Sequence, residues 1–189
     1  PMLTGRDVEM EETLDVSEHR LVELKAKVED HNRLRQELQH LQAHLSGIHH
    51  QVDTYYEVPE GRLKLRETEG KEKAELIYYE RDDAKGPKES TVFILRIRKP
   101  ENFKTLFDII LKKKIVVDKR REIYDYRGTQ IHLDVVEGLG QFVELERKTP
   151  ASIEDIRKSK KDLEELIRRL GIEKRNLVSE SYSDLISST

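Results

Sequence analysis

The stretch Arg62-Leu63-Lys64-Leu65-Arg66 constrains this chain most. A period of two places three cations on one face of a strand and two leucines on the other, so the fold must give a row of positive charge its own surface. Either face can be the inner one: leucines against a core with solvated cations behind them is the simple arrangement, and cations turned inward require anions to meet them. The pattern recurs. Lys119 and Arg121 share a face of Lys119-Arg120-Arg121, and Glu23, Lys25 and Lys27 alternate in the first strand. One shared charged surface accounts for that repetition better than several unrelated exposed faces.

The acidic residues are patterned in a complementary way. Glu144 and Glu146 alternate in Phe142-Val143-Glu144-Leu145-Glu146, and Asp134 ends Ile131-His132-Leu133-Asp134. Carboxylates at i and i+2 of a strand converge on one side, as a hard divalent cation with oxygen ligands requires. If Glu23, Asp134, Glu144 and Glu146 face the same interior as the Lys and Arg groups, the enclosed space offers cations for phosphate oxygens and carboxylates for Mg²⁺ or Mn²⁺. The competing arrangement is an exposed strand with cross-strand ion pairs, each worth about 1 kcal/mol or less.

Periodicity places these motifs on a frame. Leu21 to Val28 alternates as a strand, and further alternating runs cover 51–57, 62–67, 74–81, 91–98, 116–126, 129–135 and 141–147, separated by turn material such as Pro59-Glu60-Gly61 and Gly138-Leu139-Gly140. Asp30 reads as an N-cap before a helix carrying Leu34, Leu38, Leu41 and Leu45, with Gly47 as its stop and His49-His50 in the following loop. A second helix follows Pro100, with Phe103, Leu106, Phe107 and Ile110 on one stripe. A third follows Ser152, where Ile153, Ile156, Leu163, Ile167 and Leu170 line a face ended by Gly171, and a short amphipathic turn runs from Tyr182 to Ile186. The expected architecture is α+β: an antiparallel sheet closed into a barrel, buttressed outside by helices. Residues 1–18 read as a flexible acidic arm and 19–189 as a single domain.

Composition limits the alternatives. The chain has 189 residues, a formal net charge of −3, no Cys and no Trp, with 6% aromatic residues. Disulfides, thiolate catalysis and sulfur-ligated zinc are excluded. Net charge gives no bulk attraction to nucleic acid or an anionic membrane, and the residues between the cations are leucines rather than stacking aromatics, which argues against RNA. No apolar run approaches the roughly 18 residues of a spanning helix, and the opening is acidic, so a cytoplasmic location is expected.

At this point the residues resemble a known family. Val22-Glu23-Leu24-Lys25-Ala26-Lys27, Asp53-Thr54-Tyr55-Tyr56, Arg62 to Glu67, Ala74 to Arg81, Lys119-Arg120-Arg121, Ile131 to Asp134, Gly138 to Glu146 and Ser181 to Leu185 occur in the order seen in the CYTH superfamily of triphosphate tunnel metalloenzymes. The Asp-Thr-Tyr-Tyr and Gly-Leu-Gly-x-Phe-x-Glu stretches look most like its class IV adenylyl cyclase branch. The resemblance implies an eight-stranded antiparallel barrel whose lumen takes a triphosphate end-on with Mg²⁺ or Mn²⁺. Lys25, Arg62, Lys64, Arg66, Lys119 and Arg121 would hold phosphate oxygens, with Arg81 a further candidate although the family usually has Lys there. Glu23, Asp134, Glu144 and Glu146 would serve the metal. The family signature Glu-x-Glu-x-Lys departs here, since Leu21 stands at the first Glu position. That puts a two-metal mechanism in doubt, leaving a thinner metal site or an added phosphate contact from Lys27.

What the resemblance implies is a metal-dependent enzyme on a triphosphate substrate (ATP, inorganic triphosphate or thiamine triphosphate), acting as a lyase or a hydrolase. A cyclase aligns the ribose 3′-hydroxyl on the α-phosphorus of ATP; a triphosphatase aligns water on a terminal phosphorus. Both use the same clamp. The alternatives are a non-catalytic nucleotide or polyphosphate binding module and an interaction protein whose charged faces meet solvent. Family members include dimers, so a homodimer is compatible with the pattern. Tyr55, Tyr56 and Tyr182 are base, lid or stacking groups, or simply packed phenols. His132 shares the Asp134 face and is either an ordinary polar contact or a group near metal or phosphate, and no third ligand at suitable spacing supports zinc at His49-His50.

Overall fold

A computed structural model describes residues 16–81 and 83–188. In chain order the elements are β1 (Val16–Val28), α1 (His31–His40), β2 (His44–Tyr56), β3 (Arg62–Thr68), β4 (Ala74–Arg81), β5 (Lys88–Ile97), α2 (Pro100–Ile110), β6 (Lys113–Tyr126), β7 (Thr129–Val136), β8 (Gly140–Lys148), α3 (Ile153–Arg169), β9 (Leu177–Val178) and α4 (Tyr182–Ser187). β1 starts at Val16, within the segment read as an acidic arm; residues 1–15 of that arm lie outside the described residues.

Eight strands pair antiparallel in the order β5-β4-β3-β2-β6-β7-β8-β1, and β1 pairs with β5 as well, which closes the sheet. β1 is long enough to serve both neighbours: Val16 to Glu23 pairs with β5 while Leu21 to Val28 pairs with β8. Closure removes the exposed edges and turns a period of two into an inside and an outside.

The outside is apolar where helices cover it. Val22, Leu24 and Ala26 of β1, Ile131 and Leu133 of β7, and Val143 and Leu145 of β8 form one cluster with Leu34 and Leu38 of α1 and Ile156, Leu163, Leu166 and Ile167 of α3. α2 lays Phe103 and Phe107 against a second patch of Tyr56, Leu65, Ala74 and Ile97. These helices are what lets the opposite strand face carry charge inside the barrel, because they supply the apolar partner that the lumen does not.

Local signals act as expected at most helix ends. The Asp30 side chain accepts from the Asn32 amide, Ser152 accepts from the Asp155 amide, and Ser181 with Asp184 forms a complete capping box ahead of α4. Three expectations fail. α1 ends at His40, where Gln42 takes a left-handed φ of 56°, so Gly47 is not its stop; Leu45 and Gly47 lie in β2, at a break in register with β6. His49 and His50 are therefore strand residues, and the His50 ring lies 2.8 Å from Asp118 across the pair. Ile153, expected on the buried face of α3, is 77% exposed.

Candidate active site

The inward residues of all eight strands enclose a cavity of about 250 Å³. Lys25, Lys64, Arg66, Arg81, Lys119 and Arg121 line it, as do Glu23, Glu144 and Glu146. The alternation expected from the sequence holds at each of these positions, with the residues between them, such as Leu24, Leu65 and Arg120, turned outward.

The cations are held in place by carboxylates beneath them. Asp53 of β2, 1% exposed, accepts from Lys64 at 3.0 Å, from Arg66 at 2.7 and 2.8 Å, and from Lys119 at 2.7 Å. Burial works against its ionisation, but Arg66, Lys119 and Lys64 outweigh it and hold its pKa well below the ordinary value. Asp134 of β7 takes both arms of Arg121 at 2.7 Å and the Tyr182 hydroxyl at 2.7 Å. Glu23 takes Arg81 at 2.5 Å. Most of the lumen's guanidinium and ammonium groups are thus fixed in buried ion pairs, at a cost in desolvation that pushes Lys25 and Lys119 below their ordinary pKa.

The four carboxylates expected to serve a metal divide. Glu23 is paired with Arg81 and Asp134 with Arg121 and Tyr182; Glu144 also accepts from Arg121 at 3.3 Å, yet it and Glu146 converge with His132, one ligand atom from each falling within 4.8 Å of the others. Burial, Glu144 and Glu23 push the Glu146 carboxyl up to about 7. Glu144 stays well below its ordinary range because Lys25 and Arg121 outweigh burial. Burial and Arg121 push His132 down to about 3, so the imidazole is neutral and able to ligate.

Two cations behave differently from the expectation. Arg62 sits at the barrel end, bonded to Asp83 and Asp184 at 2.9 Å, rather than lining the cavity. Lys27 is exposed, with its ammonium 5.8 Å from the Phe142 ring, so it adds no lumen contact. Leu21 lines the cavity, and its buried side chain packs with Tyr55, Ile77, Tyr79 and Val92.

The roles of three buried residues around the lumen are not evident from the sequence. Asp53 alternates with Tyr55, but nothing near it along the chain shows that three cations from other strands will meet it. Lys88, 3% exposed and donating to the Ser179 carbonyl at 2.6 Å, falls in what reads as turn material before residue 91. Burial and the neighbouring Arg81 push its pKa down to about 8. Alternation puts His132 on the Asp134 face, but its partners come from another strand.

α4 sits against one end of the lumen. Tyr182 stacks edge-on with Phe142 at 5.1 Å, the Lys25 ammonium lies 4.0 Å from the Tyr182 ring centroid, and Asp184 accepts from both Arg62 and Lys114 at 2.9 Å.

A closed antiparallel barrel with a cation-lined, carboxylate-bearing lumen defines a class, and comparison with known proteins agrees. The CYTH domain matches residues 19–182, and the chain belongs to the CYTH family. It is 30% identical over 182 residues, 87% of this chain and 97% of the other, to a Methanocaldococcus jannaschii protein named "Putative adenylate cyclase MJ0240". The structure of PH1012 from Pyrococcus horikoshii superposes with a TM-score of 0.78 at 26% identity, covering 87% of this chain and 98% of that one. A Hippeastrum protein, HpAC1, described as an adenylyl cyclase candidate with a dominant triphosphatase activity, superposes with a TM-score of 0.62 over 89% of this chain and 95% of that one; at 15% identity the likeness is one of fold. Among the described residues no helix is long and apolar enough to cross a membrane.

Proposed function

We propose that this chain is a metal-dependent enzyme that binds a triphosphate in the barrel lumen and either hydrolyses it or, with ATP, cyclises it with release of pyrophosphate. The observation that carries the reading is the facing of Lys25, Lys64, Arg66, Arg81, Lys119 and Arg121 around the Glu144/Glu146 pair in one enclosed cavity. Phosphoryl transfer is governed by charge neutralisation and in-line positioning, and fixed guanidinium and ammonium groups supply both.

The donor set fits a divalent cation. Two carboxylates and an imidazole converge, and Glu146 is poorly ionised because burial, Glu144 and Glu23 outweigh Arg121 and Arg66. A cation held by Glu144 and Glu146 would neutralise charge on the phosphate oxygens. Tyr55, Tyr79 and Tyr182 are all pushed up by burial, so their phenols stay protonated and act as donors rather than bases.

The test is incubation of the purified chain with ATP, inorganic triphosphate and thiamine triphosphate in turn, with Mg²⁺ or Mn²⁺, resolving cyclic AMP, pyrophosphate and orthophosphate. Cyclic AMP with pyrophosphate establishes a cyclase, and orthophosphate establishes a triphosphatase and its substrate. Thermal stabilisation by triphosphate without product leaves a nucleotide or polyphosphate binding module. Neither product nor stabilisation overturns the lumen assignment.

A further inference from the structure

His132 is a buried group beside the lumen carboxylates whose chemistry the phosphate clamp does not use. Its side chain is 3% exposed on β7, with Glu144 of β8 directly opposite in register. Its Nδ1 has no hydrogen-bond partner, although a buried polar nitrogen normally finds one. It belongs to the same convergence as Glu144 and Glu146, with ligand atoms within 4.8 Å of one another. A buried imidazole with an unsatisfied nitrogen, one ring nitrogen of which converges with two carboxylates, is a donor set that a coordinated cation would satisfy.

We infer that His132 is the nitrogen ligand of this site and that it makes the site prefer a borderline cation such as Mn²⁺ or Co²⁺ to Mg²⁺. Mg²⁺ requires a near-ideal octahedron of oxygens and parts reluctantly with its water, whereas imidazole nitrogen binds the later divalent ions more strongly. The inference rests on the reading that the lumen holds a divalent cation, and it goes further by assigning the ligand that sets which one.

Mn²⁺ titration of the whole chain without substrate, followed by electron paramagnetic resonance, tests it. Pulsed spectra of the bound ion are expected to show a ¹⁴N coupling that becomes ¹⁵N in protein grown with ¹⁵N-histidine. His132→Gln is expected to lose that coupling and to weaken Mn²⁺ at least about tenfold, with a smaller change for Mg²⁺ in competition. His19→Gln, at the histidine that lines the cavity, is expected to keep it. Bound Mn²⁺ without nitrogen coupling, coupling that survives His132→Gln, or no Mn²⁺ binding overturns the inference. If His132→Gln does not fold, the isotope exchange still tests for a histidine nitrogen, and loss of the coupling in His19→Gln overturns the assignment to His132. Nitrogen-ligated Mn²⁺ in a chain that yields no product from any triphosphate would sink the enzyme reading and leave this one standing.

Discussion

Asp53 is a buried carboxylate on which Lys64, Arg66 and Lys119 all converge, and under the proposed function it neutralises cations that a phosphate would also meet. Removing one partner of a buried ionic cluster costs about 3–5 kcal/mol because the others are left uncompensated. Asp53→Asn is therefore expected to lower the melting temperature of the free protein, and to enlarge the rise in melting temperature on adding inorganic triphosphate, since the ligand then supplies the missing negative charge. An unchanged free protein would show that the three cations relax apart without Asp53. Glu146 makes a second residue-scale prediction. Its folded pKa of about 7 lies above the ordinary 4.5, so between those values the folded chain keeps a proton that the unfolded chain releases. Stability of the metal-free protein therefore falls as pH rises through that window. Melting temperatures across the window are expected to show that decline in the wild type and to lose it in Glu146→Gln. Mn²⁺ affinity should rise over the same range, because the cation displaces the proton.

At the scale of elements, α1 shows both the reach and the limit of periodicity. Leu34 and Leu38 are 1% and 0% exposed against β1, β7 and β8, as their spacing predicts, and Asp30 caps the helix. The same spacing continues to Leu41 and Leu45, yet the chain turns at Gln42 and Leu45 is 44% exposed in β2. The strand ladder with β6, which begins at His44, overrides the helical pattern there, and no local signal announces a partner so far along the chain. Leu38→Ala is expected to destabilise the protein by about 2–5 kcal/mol in denaturant melts. Triphosphate affinity, measured where the variant is folded, should stay unchanged, because this leucine faces away from the lumen. A matching loss of affinity would mean that α1 shapes the cavity as well as supporting its wall.

For the whole molecule, closure is the decisive event. β1 joins β5 on one side and β8 on the other, and α4 is tied to β3 and β6 through Asp184. The Asp184 carboxyl is held well below its ordinary value: burial opposes this, but bonds from Ser181, Lys114 and Arg62 prevail. Asp184→Asn is expected to cost about 1–3 kcal/mol and to loosen α4. Amide hydrogen exchange should then rise in residues 182–187 while β1 and β8 stay protected. Equal exchange in wild type and variant would show that Tyr182, through Asp134 and Phe142, holds α4 alone.

Much of this lumen is legible in the amino-acid sequence, because alternation with a period of two is a local property: once Arg62 to Arg66 is a strand, Arg62, Lys64 and Arg66 must share a face. By the same local logic the sequence alone determined most of the strands, the charged rows on them and much of the apolar stripes of the covering helices, but not residues 44–50 of β2 or the start of β5. Only the tertiary structure decided that the charged faces point inward, since that depends on β1 closing onto β5 and on helices covering the other side. It also decided which charges meet. Asp53 finds Lys119 at 66 residues' separation, Arg81 finds Glu23 at 58, and His132 meets Glu144 and Glu146 only across the β7/β8 pair. Coulombic and ligand interactions act over a few ångströms of space regardless of distance along the chain, so such partnerships come into being only when the barrel closes.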